Sequence, residues 1–315
     1  LSLFIFLLGH LGFASAPYLG GASVVAAFFF YLSVRSGRWA SLRHSSRFSP
    51  LELALAALTA VLVLVVLPLA LTPPMVRDEL IHHLAVPKLY LAHGAIFEIK
   101  FLGFSYLPQN IDLLYMVPLA FGSDIAPRLI HMLMGLLTGL LVYFYLLPIT
   151  SRAYALLGLF LYLATPLVVN LSRMAYIDHG SALYSTMALM AVLKWREEGF
   201  SPKWLIYAGV SMGLALGSKY NNLISLLLIN AFILYAYSKD RKSLPGAVKA
   251  GVVFTVIAVA VLSPWLIRNY AWKGSPLYPL METAIKAGAS GKGFHVTSEM
   301  APMVKRFMLY GESVF

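Results

Sequence analysis

Nine apolar runs punctuated by short polar breaks organise the chain, at roughly 1–16, 18–34, 51–71, 126–147, 153–171, 179–194, 204–217, 220–238 and 249–267. A spanning helix needs about 20 apolar residues, and the run from Leu53 to Leu71 contains no charge at all. The pattern predicts an all-α polytopic membrane protein of about nine transmembrane helices. A shorter apolar stretch, Leu107 to Phe121, contains Pro108, Pro118 and Asp112. It predicts a half-helix tucked against protein rather than a span. Gly209, Gly213 and Gly217 recur every four residues within the run 204–217, a stripe that lets another helix approach closely.

The polar breaks set the topology. Residues 35–50 carry Arg35, Arg38, Arg43 and Arg47; 194–203 carry Lys194, Arg196 and Lys203; 238–249 carry Lys239, Arg241, Lys242 and Lys249; Arg152 marks one more turn. Basic loops mark the cytoplasmic side, and with these four there the alternation of spans closes. The outer side then receives 72–125, the turn 172–178, the turn 218–221 and everything after 267. Asp78, Glu79, Glu98, Asp112, Asp124 and Asp178 all fall outside, whereas Glu52, Glu197, Glu198 and Asp240 fall inside. Acids do not set topology, so this sorting points to chemistry or binding at the outer face.

Composition narrows the class. Hydrophobic residues make up 60% and charged residues 12% of the chain, against about 25% charged in a soluble domain. The net charge of +11 reflects topogenic lysines and arginines, not a nucleic-acid surface. With no cysteine, disulfides, thiolate metal sites and cysteine nucleophiles are excluded. Two parts are expected: a transmembrane unit over 1–267, including the outer loop 72–125, and an outer C-terminal segment beginning at 268. The chain starts at Leu1 and stops at Phe315 in what reads as an unfinished loop, so it is expected to continue.

Chemistry concentrates in "PMVRDELIHHLAVPKLYLAHG", residues 74–94, just after the uncharged run. Three readings stand side by side. A helix over Glu79 to Ala92 puts Leu80, Ile81, Leu84, Ala85 and Leu89 on one side and Glu79, His82, His83 and Tyr90 largely on the rest. That is an amphipathic helix lying on the membrane surface, kinked by Pro87 and capped by Asp78. In the second, Asp78 and His82, and Glu79 and His83, stand four apart, a spacing at which helical ligands share a divalent metal. In the third, a carboxylate at the membrane boundary serves as a general base.

Cations and acids from other segments share that side. "NLSRMAYIDHG" supplies Arg173, Tyr176, Asp178 and His179; "LGSKYNN" supplies Lys219, Tyr220, Asn221 and Asn222; "SPWLIRNYAWKGSPLYP" supplies Arg268, Asn269 and Lys273. One such cation snorkels to the headgroups. Three of them beside several acids point to an anionic ligand, with phosphate the natural candidate.

These segments resemble the GT-C superfamily of integral-membrane glycosyltransferases, in the branch of bacterial relatives of protein O-mannosyltransferases and of lipid A aminoarabinose transferases. "RDELIHHLAVPKLYLAHGAI" is similar to the family's first outer loop, with an acid just after a transmembrane helix and a P-K-x-Y-…-G tail. "LPQNIDLLYMVPLAFGSDIAPRLIHMLMGLL" resembles the next segment, entering a helix through A-x-R-L-x-H. "SRMAYIDHGSALYSTMALMAVLKW" resembles the second outer loop, and "SPWLIRNYAWKGSPLYP" a closing segment of bacterial members. Together they extend from about 50 to 280, and each motif is degenerate.

The resemblance implies a polyprenyl-phosphate sugar donor, an acceptor hydroxyl on a glycan, lipid or protein, and inversion at the sugar. It implies a general base at Asp78, with Glu79 second, and places the donor phosphate on Lys219, Arg173 and Arg268, with Lys88 in reserve. Beside these, Asp178 is expected to support the base from behind or to stand on the acceptor side, and Tyr176 and Tyr220 to contact substrate. The His82–His83 pair has no general family role and is expected to orient the acid, contact the acceptor or bind metal. No cofactor is required, while a divalent metal stays compatible with the spacing. The implied location is a prokaryotic cytoplasmic membrane, with the site on its outer face and lipid as its surroundings. The rivals are a transporter or flippase, which argues for inverted repeats and mid-membrane charges, and a non-catalytic membrane subunit.

Overall fold

A computed structural model describes residues 1–36 and 47–280. Expectations that fall on 37–46 or 281–315, including most of the C-terminal segment, lie outside the described residues. Among the described residues twelve α-helices follow one another: α1 (Ser2–His10), α2 (Ala16–Ser36), α3 (Pro50–Ala70), α4 (Ala85–His93), α5 (Asn110–Ala120), α6 (Ala126–Leu146), α7 (Arg152–Ala164), α8 (Pro166–Leu171), α9 (Asp178–Glu197), α10 (Pro202–Leu216), α11 (Asn222–Arg241) and α12 (Leu244–Lys273). A π turn at Glu79–Leu84 leads into α4, and a 3₁₀ turn at Gly103–Tyr106 precedes α5.

All nine apolar runs are mainly helical, and α3, α6, α11 and α12 are long and apolar enough to cross a bilayer. Among the described residues the other helices fall short of that length or apolarity. α1 stops at His10, and α10 is 15 residues long. The run 153–171 breaks at Thr165, where Pro166 opens α8 as a new helix. α9 has the length, but its ends carry Asp178, Lys194, Arg196 and Glu197. α12 continues past 267 to Lys273, so the boundary expected there falls inside a helix. The half-helix expected near Leu107–Phe121 is α5, with Ile111, Leu113, Tyr115 and Met116 fully buried.

Local sequence explains the helix ends. α3 starts with a capping box: the Ser49 amide donates to Glu52 at 2.7 Å, and the Glu52 amide donates to Ser49 Oγ at 3.3 Å. α4 and α12 stop at Gly94 and Gly274, both at positive φ, the conformation glycine adopts without steric cost.

α10 packs between α9 and α12, α11 closes on α12, α6 lies against α7 and α9, and α4 rests on α5. The α10–α12 contact is close because of the glycine stripe. A Cβ at Gly213 would lie 2.5 Å from Ala258 O and from Val261 Cβ. Gly213→Leu is therefore expected to lower stability by about 1–3 kcal/mol or more through overpacking, read as a lower thermal midpoint of the purified protein in detergent; an unchanged midpoint would contradict this packing. Leu58, Val61, Leu64 and Val65 of α3, Leu227 and Leu228 of α11, and Val252 and Val256 of α12 stay exposed, as an integral membrane protein requires of lipid-facing helices.

Ion pairs sort the molecule into two polar ends. Glu52–Arg152, Arg196–Asp240 and Lys203–Glu198 join residues of the basic loops. Glu79–Arg128, His83–Asp112, Lys88–Asp124, Lys219–Asp178 and Lys273–Glu98 join residues at the other end. Each described end thus holds the charged residues of one set of loops.

Candidate functional site

The site builds on the segment after α3. Pro87 lies in the first turn of α4 and offers no N–H, so the bond it would have made back to His83 is absent. The turn before it widens to a π turn, a feature common at functional sites. This segment is not the surface helix with its polar side outward that α-helical spacing predicts. Glu79 and Tyr90 are fully buried and His83 nearly so, while Leu80 is 44% exposed. The polar side packs inward because it finds partners there.

Glu79 is the clearest case. Arg128, from the first turn of α6, donates from Nε to Glu79 Oε1 at 2.6 Å and from Nη2 to Oε2 at 2.7 Å. The Ala175 amide donates to Oε1 at 2.7 Å, and Arg128 Nη1 also bonds the Thr72 carbonyl and hydroxyl. A fully buried bidentate pair thus ties together the end of α3, the π turn, α6 and the turn 172–178. Burial of two charges is tolerated when the remaining hydrogen-bonding positions are filled.

Beside it, His83 Nδ1 meets Asp112 Oδ1 at 2.8 Å. Burial raises the Asp112 pKa, and contact with His83 works against that rise. His82 packs edge-on against His83 and Phe104 with both ring nitrogens sealed and unpartnered. Burial, then the neighbouring His83, pushes its pKa down to about 3, so it is neutral. Behind these, Tyr115 donates a hydrogen bond to the Tyr176 carbonyl. The His179 amide donates to His131 Nε2 at 2.9 Å, which leaves His131 Nδ1 as the protonated nitrogen, donating to the Leu171 carbonyl at 3.1 Å. The turn 172–178 is thereby fixed onto α5 and α6.

Over this buried layer stands an accessible one. Asp78 is exposed and makes no side-chain cap to the π turn. The role of helix cap is not realised, because its backbone is already helical at φ −66°, ψ −34°. Among the described residues Asp78 has no hydrogen-bond or ion-pair partner. Tyr176 is half-buried; burial raises the pKa of its phenol, and the charges of Asp78, Glu79 and Asp178 add to the rise. Tyr176 thus stands among these three acids. Lys219 Nζ donates to Asp178 Oδ1 at 2.7 Å, both partly exposed. Arg173 is exposed and, among the described residues, bonds Asn170 Oδ1, three positions earlier, at 2.9 and 3.1 Å.

Of the other expected substrate contacts, Arg268, Tyr220 and the ring nitrogens of His82 are covered, and Lys88, like Lys219, is paired with an acid. Arg268 is 4% exposed, bonded to Asn269 Oδ1 and the Leu107 carbonyl, with the indoles of Trp265 and Trp272 at 4.6 and 4.8 Å. Two flat rings and the segment around Leu107 cover it, so it is not at the surface with Lys219. Tyr220 is buried with its hydroxyl sealed. Lys88 is engaged by Asp124 at 2.9 Å. His82 faces rings, not solvent. The metal set of Asp78, His82, Glu79 and His83 is also not assembled. Glu79 and His83 are each committed to another partner, and among the described residues no three metal-ligating side chains gather.

Arg128, Asp112, Tyr115 and His131 escaped the sequence reading. Their signal was present: A-x-R-L-x-H sets Arg128 and His131 three apart on one helix face, and Asp112 is a lone acid in an apolar stretch.

Over residues 114–267 the chain matches the family model described as dolichyl-phosphate-mannose-protein mannosyltransferase. That family lies in the GT-C glycosyltransferase superfamily, and the match supports a membrane glycosyltransferase of this type using a lipid-linked sugar. It covers α6 to α11 and most of α12, and it begins after Asp78 and Glu79. No curated protein and no solved structure matches the chain.

Proposed function

We propose, from that family match, that the chain moves a sugar from a polyprenyl-phosphate donor to an acceptor hydroxyl at the outer membrane face, with inversion and with Asp78 as general base. The observation that carries this reading is the division between two adjacent acids. Glu79 is sealed and has both oxygens engaged by Arg128. Asp78, one residue earlier, is exposed, has no partner among the described residues and sits on the turn that Glu79 anchors. A base needs reach and a fixed position; Asp78 has both and Glu79 lacks the first.

In this mechanism the acceptor oxygen attacks C1 of the sugar from the side opposite the phosphate. Its proton goes to the Asp78 carboxylate as the C1–O bond to phosphate breaks, and the electron pair leaves on the phosphate. Lys219 and Arg173 stabilise that growing charge. Lys219 exchanges Asp178 for the phosphate, and Asp178 is left on the acceptor side. Arg268 contributes through the outer loop it holds. A monophosphate leaving group is met by these cations, so no step needs a metal.

The test is transfer from radiolabelled polyprenyl-phosphate sugars in proteoliposomes. Lys219→Ala is expected to lower kcat/KM for the donor about tenfold, the worth of one charge-assisted contact. An unchanged kcat/KM in that variant would remove Lys219 from the clamp.

A further inference from the structure

Lys219 stands on the short turn 217–221 that joins α10 to α11, and two asparagines hold that turn from opposite sides. Asn222, the first residue of α11, is 5% exposed. Its Nδ2 lies 2.8 Å from the Ala215 carbonyl, 3.0 Å from the Lys219 carbonyl and 2.7 Å from Ser181 Oγ of α9. Backbone carbonyls only accept, so the end of the amide that faces them is the donating NH2. On the other side Asn110, fully buried, donates from its backbone amide to the Gly217 carbonyl at 2.9 Å and from Nδ2 to the Leu214 carbonyl at 3.2 Å. Trp265 Nε1 of α12 donates to Asn110 Oδ1 at 2.9 Å. A Cβ at position 217 would lie 2.2 Å from Asn110 Nδ2, so glycine is needed there for this approach.

Two contacts join the turn to α9, in the same register. Ser181 follows Asp178 by three residues, and Asn222 follows Lys219 by three. The outer contact is the Lys219–Asp178 pair at 2.7 Å, with side chains 37% and 33% exposed. The inner contact is Asn222–Ser181 at 2.7 Å. Asn222 is not what satisfies the end of α10. The Ala215 carbonyl also accepts from the Lys219 amide at 3.0 Å, and the Lys219 carbonyl from the Asn222 amide at 3.1 Å. What the Asn222 side chain adds is a tie from the backbone of Lys219 to the first turn of α9, where Asp178 stands. The stem of a lysine is flexible, so the position of its ammonium depends on how firmly the backbone beneath it is held.

We propose that Asn222 is a positioning residue for the leaving phosphate: by tying the Lys219 carbonyl to Ser181 it sets Lys219 against Asp178 and fixes the geometry in which the ammonium passes from carboxylate to phosphate. This rests on the glycosyltransferase reading and on Lys219 as part of the phosphate clamp. Asn222 touches neither sugar nor phosphate and acts through Lys219 alone. Asn110 holds the far side of the same turn on α5 and α12.

Two measurements on the full chain in proteoliposomes test this. The first needs no turnover. In reductive methylation read by mass spectrometry, Lys219 of Asn222→Ala is expected to label about two- to fivefold faster than in wild type, the worth of a loosened, partly exposed ion pair. The second is a double-mutant cycle with radiolabelled polyprenyl-phosphate mannose as donor. Asn222→Ala is expected to lower kcat/KM by about three- to tenfold, up to the full worth of the contact it positions, but by less than about twofold when Lys219 is already alanine. Ser181→Ala cuts only the tie to α9 and is expected to show both effects in smaller measure; it decides the matter should Asn222→Ala not fold. Wild-type labelling of Lys219 in folded variants, or equal losses of kcat/KM with and without the Lys219 side chain, would overturn the positioning role. No consumption of lipid-linked sugar by wild type would instead overturn the functional reading, and the role at phosphate with it.

Discussion

Asp78→Asn is expected to lower sugar transfer by about 10²- to 10⁴-fold, the usual worth of a general base, while leaving the protein inserted and folded. The two side chains have nearly the same shape, and Asn does not take up the acceptor's proton at neutral pH. The fold should not respond, because Asp78 is exposed, makes no cap and has no partner among the described residues. A surface substitution away from any such contact changes stability by about 0.5 kcal/mol or less. The readout is kcat with labelled donor, alongside a thermal midpoint. Loss of turnover at constant midpoint separates chemistry from folding, and full turnover would remove Asp78 from the reaction.

Arg128→Met is expected to do the opposite, with a large loss of stability of about 3–5 kcal/mol, because breaking a buried pair strands one charge. Arg128 is 3% exposed and Glu79 0%, and the guanidinium also holds Thr72 at the end of α3. The double variant Glu79→Gln/Arg128→Met removes both charges and should be milder than Arg128→Met alone, since the uncompensated carboxylate is gone. The check is thermal unfolding in detergent for the three variants. Equal midpoints for Arg128→Met and wild type would show that the clasp does not hold the loop. Activity should fall with Arg128→Met as well, through the position of Asp78 rather than through its chemistry.

These two residues show what the sequence could and could not reveal. The helical runs were legible because 60% hydrophobic residues in long runs admit few other arrangements. Which charged breaks share an end was legible because lysine and arginine cluster in short breaks, and the ion pairs keep to that grouping. The inward turn of the loop was not legible. Amphipathic spacing says that Glu79, His83 and Tyr90 share a side, but not whether water or protein meets that side. Their partners Arg128, Asp112 and Gln109 stand 49, 29 and 19 residues away, beyond the reach of any local pattern.

Register failed for a related reason. Spacing of four pairs Asp78 with His82 and Glu79 with His83, which suggested a shared metal ion. The π turn ahead of Pro87 shifts the register by one residue, sends Glu79 to Arg128 and His83 to Asp112, and leaves Asp78 free. Arg268 misled through composition: a cation at the end of an apolar helix looks like a headgroup or phosphate contact. Here the tryptophans three before and four after it close over the guanidinium. That aromatic spacing, at i−3 and i+4 on one helical face, was visible in SPWLIRNYAWKGSP and is the sign of a covered arginine.

The most direct measurement is consumption of radiolabelled polyprenyl-phosphate sugar by the purified protein in proteoliposomes, wild type against Asp78→Asn, each with and without a chelator. The account predicts that wild type releases or transfers the labelled sugar, that Asp78→Asn does so at least about 10²-fold more slowly, and that the chelator changes neither. Donor consumption by Asp78→Asn at the wild-type rate, or no consumption of any donor by folded wild type, would contradict it.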